Sequence, residues 1–138
     1  MGLIFDTSVF VSWERGGGSL DFSLWKNYEN VAISVITVSE LLAGVHRASI
    51  PSRKEKRSDF VETIISRFPI LDITVEVAKK HAELSASLSK QGQMIGAHDL
   101  LIAATACHYH HAVLTLNISD FQRVPGLQVV DFSQKEQD

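Results

Sequence analysis

The chain is poor in cysteine and has no long apolar run. Its 138 residues include a single cysteine, Cys107, which cannot form an internal disulfide, so a disulfide-stabilised secreted domain is excluded. The first ten residues, MGLIFDTSVF, lack the basic and long apolar segments of a secretory signal. No apolar run approaches the roughly 18 residues that span a bilayer. We therefore expect a cytoplasmic protein with no membrane association.

An excess of positive charge is also missing. Thirteen Lys and Arg residues stand against sixteen Asp and Glu, which leaves a net charge of -3. Contact with RNA or DNA therefore requires a local basic patch or a bound cation, because the chain as a whole does not attract phosphate.

What the chain does have is the composition of one folded domain. Hydrophobic residues make up 45% and charged residues 21%, both ordinary for a globular protein. We expect a single domain over residues 1–133 and a flexible polar tail over residues 134–138.

Short apolar runs alternate with longer stretches of helical periodicity. The predicted strands are residues 3–5, 31–35, 70–73, 112–116 and 127–130. The predicted helices are residues 37–48, 59–68, 74–90 and 97–110. This alternation predicts an α/β fold, with a central parallel sheet of about five strands and helices on both faces.

Four acidic residues fall at the junctions of these elements. Asp6 ends the first strand, Glu40 lies one turn into the helix after the second strand, and Asp120 follows the fourth strand. Residues just past the carboxyl ends of parallel strands gather in one crevice. Asp99 opens the buried helix, and it joins the other acids if that helix begins at the same edge.

Clustered carboxylates repel one another and take up protons unless a positive charge lies among them. Mg²⁺ or Mn²⁺ meets that need with oxygen ligands, and it suits hydrolysis of a phosphodiester. Each acid also has a structural interpretation when taken alone. Asp6 can cap the next helix, Thr37 to Glu40 reads as a capping box in which Glu40 returns to the Thr37 amide, and helix dipoles can stabilise Asp99 and Asp120.

Four motifs in this order resemble those of the PIN-domain family, and within it the VapC-type toxins. They are D-T-S at residues 6–8, S-x-x-T-x-x-E-L at 34–41, D-x-x-I-A-x-x-A at 99–106 and T-x-N-x-x-D-F at 115–121. The resemblance covers nearly the whole chain. It implies a PIN-like three-layer sandwich and a Mg²⁺- or Mn²⁺-dependent endoribonuclease, in which water displaces the 3′ oxygen and leaves a 5′ phosphate.

The resemblance also implies roles for individual residues. Asp6 and Asp99 match the most constant metal-binding acids, and Glu40 matches the third. Many relatives carry the fourth acid where this chain has Asn117, and others carry it where this chain has Asp120. We assign that metal-binding role to Asp120 and treat Asn117 as a supporting donor. A small hydroxyl position beside the first acid is matched by Ser8.

Partners follow from the same resemblance. Toxins of this kind cleave RNA, pair with a VapB-like antitoxin encoded next to them, and are usually homodimeric. The aromatic side chains predicted to contact the antitoxin are Trp13, Phe22 and Trp25, for which a place in the core is the alternative. The basic residues predicted to contact the RNA backbone are Arg53, Lys54, Lys56 and Arg57, for which a solvated helix face is the alternative.

Two other functions stay open at this point. One is a catalytically silent PIN-fold binding module, against which the retention of all four acids argues. The other is a receiver-like phosphate-accepting domain with Asp72 as acceptor and Thr115 as switch. It needs an acid pair after the first strand, but here Asp6 is followed by Thr7.

Overall fold

The computed structural model describes residues 1–16 and 21–133. Its elements, in chain order, are β1 (Gly2–Phe5), α1 (Thr7–Gly16), a 3-10 helix (Phe22–Trp25), β2 (Val31–Ser34), α2 (Val35–Arg47), α3 (Pro51–Arg67), β3 (Ile70–Leu71), α4 (Val75–Lys90), α5 (Ala97–His108), β4 (His111–Thr115), α6 (Ile118–Phe121) and β5 (Val129–Asp131). The predicted tail at 134–138 lies outside the described residues. No described helix is long and apolar enough to span a membrane.

The five strands form one parallel sheet in the order β3-β2-β1-β4-β5. Strand β1 is central, and its Leu3 pairs with Val31 of β2 on one side and Ala112 of β4 on the other. The predicted parallel α/β sheet is therefore confirmed. The receiver-like alternative is wrong, because receiver domains have the strand order 2-1-3-4-5.

Alternation along β1 divides the core between the two faces of the sheet. Leu3 and Phe5 pack with apolar residues of α1, α2 and α3, whereas Ile4 packs with those of α4 and α5. Successive side chains of a strand point to opposite faces, so each face of the central strand needs its own helical cover. This arrangement is the three-layer sandwich that the sequence predicts.

Most element boundaries shift from the prediction by one or more residues, and three of these shifts have a clear local reason. Helix α2 begins at Val35 because Ser34 caps it, accepting a hydrogen bond of 3.1 Å from the Ile36 amide. The capping box assigned to Thr37 is therefore wrong. Helix α3 begins at Pro51 rather than residue 59, since proline is favoured at the first helical position. Strand β5 starts late because Gly126, with φ of 76°, turns the chain before it.

The predicted antitoxin contact at Trp25 is wrong, because this side chain belongs to the core. Trp25 is only 2% exposed, and its ring lies edge-on to Phe5 with centroids 5.0 Å apart. On another side it stacks against Phe132 at 6.2 Å. Trp13 is half-buried and packs on the same cluster, and the side chain of Phe22 lies outside the described residues. Trp25 thus attaches the 3-10 helix to the sheet.

We predict that Trp25→Ala lowers the free energy of unfolding by about 3–5 kcal/mol, because truncating a buried aromatic leaves a cavity. Urea unfolding followed by far-UV circular dichroism measures this loss. Leu24→Ala is the matched control, since Leu24 is in the same 3-10 helix and 36% exposed. Equal, small losses in both variants would contradict the core assignment.

Candidate active site

The candidate site lies where the connections from β1 diverge to the two halves of the sheet. The chain continues from β1 to β2 on one side of the sheet, and β4 pairs with β1 on the other side. Such a switch point opens a crevice at the carboxyl ends of the strands. Asp6 directly follows β1, and Glu40 lies in the second turn of α2. Helix α5 precedes a parallel strand and so starts at the same edge, which brings Asp99 there. Asp120 arrives on α6, just after β4.

Asp6 is the most enclosed of the four acids. Only 4% of the residue is exposed, and its Oδ2 accepts hydrogen bonds from Ser8 Oγ at 2.7 Å and Thr115 Oγ1 at 2.8 Å. Its amide donates to the Leu114 carbonyl at 2.9 Å, which continues the β1–β4 ladder into the site. Two hydroxyls and one backbone bond therefore fix the position of this carboxylate.

Asn117 joins two of the other acids. Its Nδ2 donates to Asp99 Oδ2 at 2.8 Å and to Asp120 Oδ2 at 3.1 Å. Arg123 Nη1 lies 3.8 Å from the second oxygen of Asp120. The sequence singled out both Asn117 and Asp120, and the structure places both at the site, with the amide between the two carboxylates.

Glu40 is held by groups that the sequence analysis did not single out. Thr7 Oγ1 donates to Glu40 Oε1 at 2.6 Å, and it lies 3.0 Å from the hydroxyl of the buried Thr37. His98 Nδ1 lies 3.4 Å from Glu40 Oε2. Glu40 therefore points across the crevice toward α1 and α5. Its neighbours could have been sought next to the acids themselves, since Thr7 follows Asp6 and His98 precedes Asp99.

The acids interact electrostatically at the position of Asp99. Burial, followed by the negative charge of Asp6, raises the pKa of Asp99 from 3.8 to about 6. Glu40 and Asp120 raise it further, while the hydrogen bond from Asn117 opposes the increase. An effect of three separate carboxylates on a fourth requires all of them to be near one another. The structure thus brings together the four acids that the sequence analysis selected.

The donor set matches a hard divalent cation in chemistry. It is made only of oxygen ligands, which Mg²⁺ and Mn²⁺ prefer, and the carboxylates carry the negative charge such an ion offsets. As they stand, no three carboxylate, histidine or cysteine side chains within the described ranges are arranged to hold an ion. Instead, neutral donors occupy the carboxylate oxygens, as Asn117 does for Asp99 and Asp120. Asn117 bonds only Oδ2 of Asp99 and of Asp120, so its amide leaves the other oxygen of each carboxylate open to a cation.

The predicted RNA-contacting residues lie on the first turns of α3. Arg53, Lys54 and Lys56 are exposed there. Arg57 has a structural contact instead, since its Nε lies 3.2 Å from Glu14 Oε1 and its Nη1 donates to the Gly44 carbonyl at 3.4 Å. Arg57 thereby ties α3 to α1 and α2.

Comparison with known proteins agrees with this geometry. Residues 3–127 match the PIN domain family. A ribonuclease VapC from Rickettsia bellii is 39% identical over 136 residues, covering 99% of this chain and 100% of that protein. The crystal structure of VapBC2 from Rickettsia felis bound to a DNA fragment from their promoter contains a chain with TM-score 0.84 and 28% identity, with 95% of this chain and 98% of that chain covered.

A further solved structure is VapBC-5 from Mycobacterium tuberculosis, a member of the VapBC family of toxin-antitoxin systems. Its matching chain has a TM-score of 0.75 and 28% identity, with 95% of this chain and 98% of that chain covered. Matches of this extent in both sequence and structure, joined to four acids at the switch point, establish the family. The chain belongs to the PIN-domain family and, within it, to the VapC ribonucleases.

Proposed function

We propose that this chain is a Mg²⁺-dependent endoribonuclease that acts as the toxin of a VapBC-like toxin–antitoxin pair. The observation that supports this proposal most directly is the gathering of four acids at one crevice: Asp99 is half-buried, and the charges of Asp6, Glu40 and Asp120 add to burial in raising its pKa. A protein gains nothing in stability from such a cluster. A cluster of this kind suits a site that takes up a cation and a phosphodiester.

The four acids would hold the metal, with Asp6 and Asp99 as the inner pair. Asp6 is prepared for this role because Ser8 and Thr115 both donate to its Oδ2, leaving Oδ1 available. Asn117 keeps Asp99 and Asp120 at one side of the crevice. When bound, the ion would lower the pKa of a water and offset the charge of the scissile phosphate.

Glu40 would orient the attacking water, because its carboxylate faces the crevice from the opposite helix. Thr7 restrains that carboxylate through Oε1, which fixes the direction of the other oxygen. In the reaction one bond forms between the water oxygen and phosphorus, and the bond from phosphorus to the 3′ oxygen breaks. The products are a 5′ phosphate and a 3′ hydroxyl, which receives the proton that the water releases.

The partner in this proposal is a small VapB-like antitoxin. Its support is that the matching chains from Rickettsia felis and Mycobacterium tuberculosis are parts of VapBC assemblies. The proposal also includes a homodimer of this chain, which light scattering on the purified protein measures directly. The catalytically silent module is the alternative that the first prediction below tests.

We predict that Asp6→Asn and Asp99→Asn each reduce Mg²⁺-dependent RNA cleavage by at least about 100-fold, since each removes a charged ligand. Cleavage of single-stranded RNA by purified protein is measured with Mg²⁺ and with EDTA. Asp72→Asn, the same change at an exposed acid after β3, serves as control and keeps full activity. Near-normal cleavage by the Asp6 or Asp99 variant would remove the site assignment, whereas no cleavage by wild type would favour the silent module.

We predict that Asp99→Asn melts higher than wild type in EDTA at pH 7. The folded-state pKa of Asp99 is about 6 and its unfolded value is near 4, so ionised Asp99 opposes folding above pH 6. Allowing for solvent screening, we expect the free energy of unfolding of Asp99→Asn to exceed that of wild type by about 1–2 kcal/mol. This difference decreases below pH 6 and vanishes near pH 4. Circular dichroism melts of both proteins across this pH range measure the difference. A difference in stability that does not change with pH would contradict the role of Asp99 ionisation.

We predict that millimolar Mn²⁺ raises the melting temperature of wild type, because the ion binds only the folded site. The same addition should leave Asp99→Asn nearly unchanged, since that variant lacks one ligand of the inner pair. Calorimetry measures the melting temperatures, and Asp72→Asn controls for non-specific binding of Mn²⁺. A wild-type melting temperature that Mn²⁺ does not change would contradict a metal site formed by the four acids.

We predict that expression of this chain alone arrests bacterial growth and that co-expression of the protein encoded beside it restores growth. Asp6→Asn should be harmless when expressed alone, yet still co-purify with that neighbour, because the change leaves the outer surface intact. Normal growth in the presence of verified, active wild-type protein would contradict the toxin role.

A further inference from the structure

A groove leads away from the acidic site between α1, α2 and α3. It has a volume of about 370 Å³. At one end its walls include Thr7 and Glu40, which belong to the site, and at the other end they include Arg15 and Arg47. Helices α1 and α2 both start at the carboxyl edge of the sheet and both end at the groove's far end. The groove therefore has an acidic entrance and a basic exit.

The two ends are separated by the length of about two helical turns. Arg15 lies eight positions after Thr7, and Arg47 lies seven positions after Glu40. With a rise of 1.5 Å per residue, the arginines lie roughly 10–12 Å beyond the acids along the helices. A polymer that has one unit at the acids would thus have later units at the arginines.

The positive charge at the far end is available for a ligand. Arg57 also lines the groove, but its charge is offset by Glu14. Arg15 and Arg47 are exposed, and neither forms an ion pair with any residue of the described ranges. Helix dipoles stabilise a cation at each of these helix ends. The dipoles explain each arginine separately. They do not explain why both arginines line the same groove, which begins at the acids.

A nucleic acid needs this charge more than a protein partner does. An RNA strand that reaches the site meets four carboxylates on a chain of net charge -3, so Coulomb repulsion opposes its binding. Lys and Arg contacts to phosphates are what hold such a strand, independently of its sequence. Arg53, one turn before Arg57 on α3, extends the positive surface past the groove. Val11 and Phe60 add apolar wall against which a sugar or base can pack.

We propose that the α1–α3 groove binds the backbone of the RNA on one side of the bond to be cut, with Arg15 and Arg47 each paired to a phosphate. This inference rests on the proposed ribonuclease function and adds the path of the substrate to it. Arg57 is a positioning residue that keeps the groove open by holding α3 against α1 and α2.

The test compares the double variant Arg15→Gln/Arg47→Gln with the control Lys79→Gln/Lys90→Gln. The control removes the same charge from α4, on the other face of the sheet. In steady-state cleavage we expect the double variant to raise KM about tenfold at low salt, with kcat within about twofold of wild type. Arg15→Lys/Arg47→Lys should restore most of the loss, because phosphate pairing needs charge.

Binding is measured separately, in EDTA, by fluorescence anisotropy of a fluorescein-labelled 12-nucleotide single-stranded RNA. Each lost phosphate contact reduces the salt dependence, so the slope of log K against log salt should fall by about 1.4 in the double variant. This arm does not need catalysis. A wild type that binds RNA with the expected slope but does not cut it would remove the proposed function and leave the groove assignment supported.

Two results would overturn the inference. One is a double variant whose KM and salt slope equal those of the control. The other is a double variant that fails to bind the co-expressed neighbouring protein while its KM for RNA stays unchanged, which would make the groove a protein-docking surface.

Discussion

Repulsion among carboxylates is the constraint on which the rest of the site depends. Asp6 is nearly enclosed at the end of the central strand, and burial together with the surrounding acids raises the pKa of Asp99 to about 6. Neutral donors contact three of these acids: the Ser8 and Thr115 hydroxyls bond Asp6, and the Asn117 amide bonds Asp99 and Asp120. Apolar packing on both faces of the sheet offsets the free-energy cost of this repulsion. Sites that carry such local conflict are where proteins concentrate function.

Much of the fold follows from patterns that are local in sequence. Alternating apolar runs and helical periodicity predict the parallel sheet, and the positions of Asp6 and Glu40 at element junctions already single them out. The sequence does not predict the orientation of individual side chains, and the site and the core both depend on it. Glu40 fits a capping box by spacing, yet Ser34 already caps the helix, so Glu40 is free to accept from Thr7. The sequence leaves Trp25 open between the core and a docking surface, and its packing against Phe5 shows that it belongs to the core.

The groove shows why a net charge describes this protein poorly. The acids gather at the start of α1 and α2, and arginines end both helices, so the same two helices separate charge along their length. The arginines are stabilised where they lie, because a helix dipole favours a cation at the C-terminus of the helix. The total of -3 averages over two regions of opposite sign that lie about 10–12 Å apart.

The central place of β1 has a consequence for the timing of activity during synthesis. Asp6 leaves the ribosome well ahead of the Thr115 hydroxyl that holds it, which lies 109 residues later in the chain. At about 5–20 residues per second, β1 waits roughly 5–20 s for the strand that completes its pairing. Until then the crevice lacks the wall that β4 provides, and Asn117 has not yet been made. A nascent chain therefore lacks the assembled acidic site, which is complete only when β4 and α5 have folded onto the central strand.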